Sequence, residues 1–219
     1  MRRGAAILRL SRAERAYPPA QRLRRVVESL EAGKLVAFPT DTFYGIAADP
    51  CSRAAVRRLF GLKGRKKPPP LIAANLEQVL RVAVLKGIAA RLGARFWPGP
   101  LTLVLPALPG QLDEGVVRQD TVAIRIPRSR IARALAAALG RPITATSANR
   151  SGKPPARSAQ EVARFIPTGL DLIVDAGRRR AAHPSTIVRV ARSGFEIVRE
   201  GAVSRRRIQA FVDRERSRW

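Results

Sequence analysis

The segment LVAFPTDTFYGIAADP, residues 35–50, poses the central question of the chain. Leu35, Val36, Ala37 and Phe38 form an uninterrupted apolar run, the pattern of a buried strand. After Pro39 the run gives way to Thr40-Asp41-Thr42, then an aromatic pair and Gly45. Two readings fit. The three polar residues are a turn that happens to be polar, or they are a strand end that presents hydroxyls and a carboxylate to a ligand.

On either side of this segment, helix-like and strand-like patterns alternate. Leu23, Val26, Val27 and Leu30 share a helical face over 20–32, with Gly33 as a stop. A strand over 34–38 follows. Ser52 is placed to cap a helix carrying Val56, Leu59 and Phe60 on one face. Strand-like runs recur at 101–106, 121–127, 141–146, 170–177, 185–190 and 195–200, and helical spacing at 75–81, 87–96, 129–139, 158–166 and 203–213. The adjacent C-terminal runs read as hairpins, so the sheet is mixed rather than purely parallel. One α/β domain accounts for the pattern. Residues 1–18 read as a flexible N-terminal segment, 19–203 as the domain, and 204–219 as a C-terminal helix and tail.

The 219 residues suffice for a substantial core. No window approaches 18 uninterrupted apolar residues, so no transmembrane helix and no membrane partner are expected. The N-terminus lacks a long apolar segment before a small-residue cleavage site, which reads as cytoplasmic. Cys51 is the only cysteine, which excludes an internal disulfide and a cysteine-built zinc site. The formal net charge is +26, from 42 basic and 16 acidic residues. Such an excess favours polyanions, either nucleic acid or nucleotides. Only Lys34, Lys63, Lys66, Lys67, Lys86 and Lys153 are lysines, and an arginine- and alanine-rich chain is equally what GC-rich coding produces.

Several strand-like runs end in polar residues: Thr40, Arg125, Thr146-Ser147, Ser185 and Arg199. Ligands of open α/β sheets bind outside strand ends, so these are candidates for one shared cleft. KGRKKPPP (63–70) places Lys63, Arg65, Lys66 and Lys67 in a proline-stiffened loop, where cations lose less entropy on clamping a phosphate. ITATSANRSGKPP (143–155) runs a strand into small hydroxyls, an amide and glycine, a concave donor set suited to an anion. Neither phosphate-binding glycine signature occurs. FWPGPLTLVLP (96–106) reads as an architectural corner. The lone His183 makes neither a metal site nor a triad.

FPTDTFYGIAADP, LKGR, FWPGPLTLVLPA, VAIRIP, TSANRSGKPP, PSTIVRV and IVREG, in this order from about residue 20 to 202, resemble the YrdC-like family of threonylcarbamoyl-AMP synthases. The resemblance implies a single-domain YrdC/RibB-like fold: a twisted mixed, largely antiparallel sheet flanked by helices, with a large basic cleft. It resembles the short form, without an extra C-terminal domain. It implies a site signature of Lys63, Arg65, Ser147 and Asn149. It puts L-threonine against Thr40, Arg125 and Ser185, and ATP against Lys63, Arg65, Thr121, Ser147, Asn149 and Arg199. Tyr44-Gly45 would shape the wall. The implied reaction condenses L-threonine, bicarbonate or carbon dioxide, and ATP to threonylcarbamoyl-adenylate and pyrophosphate. Mg²⁺ would be carried with ATP, no protein metal site is implied, and downstream proteins would transfer the group to tRNA.

Two departures from the family pattern stand out. Pro69 falls where a second lysine is usual, so either Lys67 substitutes or a phosphate contact is missing. Arg178 to Arg180 replace a glycine-rich segment, and either close over the nucleotide or stay exposed. The alternative function is a non-catalytic RNA- or tRNA-binding member of the same fold, which a basic surface alone would serve. Weak tRNA binding is compatible with the enzyme reading too. A carbamoyl-adenylate enzyme of the hydrogenase-maturation kind is disfavoured by the single cysteine and the length.

Overall fold

The computed structural model describes residues 4–64, 67–150, 152–180, 183–191 and 194–216. In chain order the elements are β1 (Ala6–Arg9), α1 (Arg12–Ala16), α2 (Ala20–Glu31), β2 (Val36–Pro39), β3 (Tyr44–Ala47), α3 (Arg53–Lys63), β4 (Leu71–Ile72), α4 (Leu76–Leu80), α5 (Gly87–Phe96) and β5 (Leu101–Pro106). A 3₁₀ turn (Glu114–Val116) precedes β6 (Thr121–Arg125), α6 (Arg130–Leu139), β7 (Ile143–Thr144), β8 (Thr146–Ser147), α7 (Ala159–Phe165), β9 (Leu172–Asp175), β10 (Thr186–Ala191), β11 (Gly194–Arg199) and α8 (Arg205–Arg216).

The strands form two sheets, not one. The first runs β1-β9-β2-β3-β8 and the second β11-β10-β5-β6-β4-β7. Both are mixed. Five of the nine strand pairings among the described residues are antiparallel, a bare majority rather than the largely antiparallel sheet expected. β7 and β8 are separated only by Ala145, so one short stretch carries the chain from the second sheet to the first.

Burial explains why β2 reads as continuously apolar. Val36 and Phe38 pack with α2 and α6 residues such as Val26, Leu30 and Leu135. Leu35 and Ala37 face the other way, against Leu59 of α3 and Val162 of α7. The first sheet is therefore helix-covered on both faces. The second sheet is not. Leu101, Leu103, Leu105, Val122, Ile124 and Val188 pack against Leu92, Ile208 and Val212 of α5 and α8. The alternate residues of the same strands (Val104, Thr121, Ala123, Arg125, Ile187 and Arg189) line a cleft. The strand period of two thus separates a helix-covered face from one that lines the cleft.

The N-terminal segment is a correction. Ala6–Arg9 pairs in parallel with Leu172–Asp175, and Ser11 caps α1 in a reciprocal capping box with Glu14. Only Leu8 of β1 is buried, so the four residues carry no alternation by which to recognise a strand. The C-terminal helix is likewise part of the domain, because Ile208 and Val212 join the core of the second sheet. Ser52 caps α3 through a 3.3 Å bond from Ala55 N, as its position suggested. No helix among the described residues is long and apolar enough to cross a membrane.

Candidate active site

The Thr-Asp-Thr segment is a turn, and its two threonines also line a cleft. It links β2 to its antiparallel partner β3. Thr40 Oγ1 donates to Phe43 O (2.8 Å) and accepts from Thr42 N (3.0 Å), so its hydroxyl is bound into the turn that carries it. Thr40, Thr42, Tyr44 and Gly45 line the cleft. Tyr44 is fully buried, and its hydroxyl donates to Gly177 O (3.0 Å) while accepting from Ala176 N (3.3 Å). Burial pushes its phenol pKa up.

Asp41 makes the contact that the sequence concealed. Its Oδ1 accepts from Arg125 Nη1 at 2.7 Å, and its Oδ2 from Arg128 N at 3.1 Å. The side chains of Arg125 and Asp41 are 7% and 11% exposed. A buried arginine needs an anionic partner, and Arg125 finds one within the protein in Asp41. Arg125 Nη1 also lies 3.5 Å from Gly99 O, and Nη2 lies 3.5 Å from Thr42 Oγ1.

Arg199 stands near Arg125 at the same end of the cleft. Its Nη2 donates to Ser185 O (2.8 Å) and to Ser185 Oγ (3.1 Å), and Nε to Ser185 O (3.2 Å). Thr102 Oγ1 donates to Ser185 Oγ at 3.0 Å. Burial depresses the Arg199 pKa, and the charge of Arg125 depresses it further. Two guanidinium groups thus face one end of the cleft with Asp41 as the carboxylate held against Arg125.

Ser185 owes its position to Gly201. A β-carbon at Gly201 would lie 2.3 Å from Pro184 O and 2.8 Å from Ser185 C, with backbone rather than a yielding side chain as the obstacle. Gly201→Ala is expected to destabilise the protein by about 1–3 kcal/mol, the range for overpacking, and to displace Ser185 from Arg199. Urea denaturation measures the first effect; an unchanged midpoint would show that the segment yields without strain.

Lys63, Ser147 and Asn149 are brought together. Gly64, at φ 60, ends α3 in a left-handed cap and leaves Lys63 as its final residue. Lys63 Nζ donates to Ser147 O (2.8 Å), to Asn149 Oδ1 (2.8 Å) and to Asn149 O. Ser147 Oγ donates to Asn149 Oδ1 at 2.7 Å, and Asn149 Nδ2 donates to Lys153 O. The ammonium of this buried lysine supports the turn that presents Ser147 to the cleft. Arg65 lies outside the described residues.

Lys67 lines the cleft with Pro68, Pro69 and Pro70. Arg178 to Arg180 lie outside the lining. Arg178 pairs with Glu161 at 2.7 Å, and Arg179 N bonds Arg157 O at 2.7 Å, which anchors the segment on the start of α7. The Arg157 backbone N–H, with Arg178 second among the favourable contacts, lowers the Glu161 pKa. His183 is exposed and outside the lining. Thr121 is in the cleft, and its hydroxyl donates to Arg118 O at 2.7 Å. Arg118 and Arg189 also line the cleft, and neither stands out in the sequence. Arg189 is offset by Glu196 at 2.9 Å. The trace that could have pointed to Arg189 is its place two and four residues after Ile187 and Ser185 on one strand face.

A family model described as Telomere recombination, covering the Sua5, YciO and YrdC proteins, matches residues 28–201. The threonylcarbamoyl-AMP synthase of Pyrococcus abyssi is 39% identical over 197 residues, 87% of this chain and 57% of the relative. That of Halorhodospira halophila is 39% identical over 179 residues, 79% of this chain and 92% of the relative. The crystal structure of P. abyssi Sua5 complexed with L-threonine superposes with a TM-score of 0.83 at 34% identity, covering 95% of this chain and 60% of that one. The chain spans little more than half the length of the Pyrococcus protein. With the match running from α2 to Gly201 and taking in the whole cleft, the chain belongs to the Sua5/YciO/YrdC family.

Proposed function

We propose that the cleft makes threonylcarbamoyl-adenylate from L-threonine, bicarbonate or carbon dioxide, and ATP. The observation that carries this reading is the pair Arg125 and Arg199, two guanidinium groups at one end of a cleft beside hydroxyls of Thr42 and Ser185. An excess of positive charge against a small polar pocket suits the carboxylate of an amino acid. The relative crystallised with L-threonine and the curated synthases support the choice of amino acid and reaction.

The chemistry needs no protein nucleophile. The threonine amine adds to carbon dioxide, giving a carbamate and a proton. A carbamate oxygen then attacks the α-phosphorus of ATP, and pyrophosphate leaves. Both partners are anions, so the protein's task is to hold them together and offset their charge. Arg125 would meet the threonine carboxylate, and Arg199 beside it would offset charge on the ATP phosphates. Ser147, on the turn braced by Lys63 and Asn149, would orient phosphate oxygens. Lys67 at the rim would supply a further cation. Asp41 is committed to Arg125, and no carboxylate lines the cleft among the described residues. The donor set therefore does not build a protein Mg²⁺ site, and the ion enters as part of the nucleotide substrate. The product is a mixed anhydride, which a downstream acyl-transfer system acting on tRNA would consume.

Incubation with ATP, threonine and labelled bicarbonate, followed by chromatography, should yield a labelled adenylate and pyrophosphate in equal amounts. ATP consumption independent of threonine would overturn the reading. The surface charge is a separate matter. Arg205, Arg206 and Arg207 are exposed on α8 and outside the cleft lining. Reversing all three to glutamate should leave adenylate synthesis within about twofold. A tight tRNA complex, steep in salt and lost only in that variant, would instead assign the charge to RNA binding.

A further inference from the structure

β6 places Thr121, Ala123 and Arg125 on the cleft face, so Thr121 stands about 13 Å from Arg125 at about 3.3 Å per residue. The Thr121 hydroxyl spends its proton on Arg118 O. Arg118 and Thr121 also exchange backbone bonds of 2.9 Å in both directions. Between them Gln119 and Asp120 sit at φ 47 and φ 54. Two consecutive left-handed residues make the tight hairpin turn normally built from Asn-Gly, and neither residue here is glycine. Such conformations persist only where the surroundings enforce them. Here the enforcement comes from the paired backbone bonds, the Thr121 hydroxyl and a 2.8 Å bond from Ala107 N to Asp120 O. The turn holds Arg118 at the cleft, where it has no ion pair among the described residues.

We propose that Arg118 is a nucleotide-phosphate contact of this cleft and that Thr121 is the positioning residue that holds it. The inference rests on the nucleotide-binding reading above. Arg125 occupies the amino-acid end, and Thr121, about 13 Å along the same strand, carries the turn that holds Arg118 at the cleft. A guanidinium there meets the anionic tail of ATP with its planar fork.

The test is calorimetry with Mg·ATP in the absence of threonine and bicarbonate, so that nothing turns over. Arg118→Ala should weaken ATP binding by about 10- to 100-fold, the range for a lost charged hydrogen bond. Arg118→Lys should fall between it and wild type. Thr121→Val, which keeps the shape and removes the hydroxyl, should weaken ATP binding by less than Arg118→Ala does. Threonine affinity should stay within about twofold in all three. Arg206→Ala on α8 removes the same net charge and should leave ATP binding unchanged. ATP affinity within twofold of wild type in Arg118→Ala overturns the contact. An Arg206→Ala loss equal to that of Arg118→Ala reduces the contact to net charge and overturns it too. A greater loss in Thr121→Val than in Arg118→Ala reverses the assigned roles. A wild-type protein that binds no ATP fails at the proposed function itself, and its own isotherm shows this.

Discussion

Arg125→Met alone is expected to cost the fold about 3–5 kcal/mol, because it leaves the Asp41 carboxylate buried without its cation. Asp41→Asn alone should cost a similar amount by stranding the guanidinium. The double variant should recover most of that loss, since exchanging a buried ion pair for neutral groups of similar size is often close to neutral. Threonine binding should behave differently. It should be lost in Arg125→Met and remain lost in the double variant, because the substrate carboxylate has no cation to meet in either. Urea denaturation and threonine calorimetry on the four proteins separate the two roles. If threonine affinity returns together with stability in the double variant, Arg125 is purely architectural and the carboxylate binds elsewhere.

The same pair shows how far the sequence could be read. A buried arginine in a run as apolar as VAIRIP requires an anion. The anion turned out to be Asp41, which lies 84 positions away in the chain. Nothing in local periodicity links two residues at that separation; only the docking of the first sheet's β2–β3 turn onto the second sheet does. The long elements were legible because burial has a period. β2 is apolar throughout since helices cover both faces, and α2, α5 and α6 show one packed stripe each. β4 and β7 were not legible as separate strands, because two residues cannot display a period. The division into two sheets was hidden for a related reason: β7 and β8 lie in one short run, and only Ala145 marks the exchange between sheets. The convergence of Lys63 with Ser147 and Asn149 was carried by family motifs. The direction of the lysine's hydrogen bonds was not, because a motif names residues and not the partners that satisfy them.

Lys63→Met is expected to destabilise the protein even without ATP, by about 3 kcal/mol. Methionine keeps much of the aliphatic stem but removes the donors to Ser147 O, Asn149 O and Asn149 Oδ1. An unsatisfied buried acceptor costs about 1–3 kcal/mol. Ser147 Oγ still donates to Asn149 Oδ1 and offsets part of the loss, which places the sum near the lower end of three such penalties. For a chain of this size the midpoint should fall by roughly 6–12 °C, at about 2–4 °C per kcal/mol. Amide exchange should accelerate at Ala148 and Asn149, whose backbone bonds to Tyr44 and Ser147 depend on the turn. A lysine that served only to grip a phosphate would behave otherwise: the ligand-free protein would melt at the wild-type temperature, and only the stabilisation gained on adding ATP would shrink. The ligand-free melting temperature therefore decides whether Lys63 acts on phosphate directly or through the turn that carries Ser147. Lys63→Arg sharpens the comparison. It preserves the charge, but a planar guanidinium cannot reproduce the compact three-donor geometry of an ammonium in a site 6% exposed. It should melt close to Lys63→Met, whereas retention of wild-type stability would show that charge alone holds the turn.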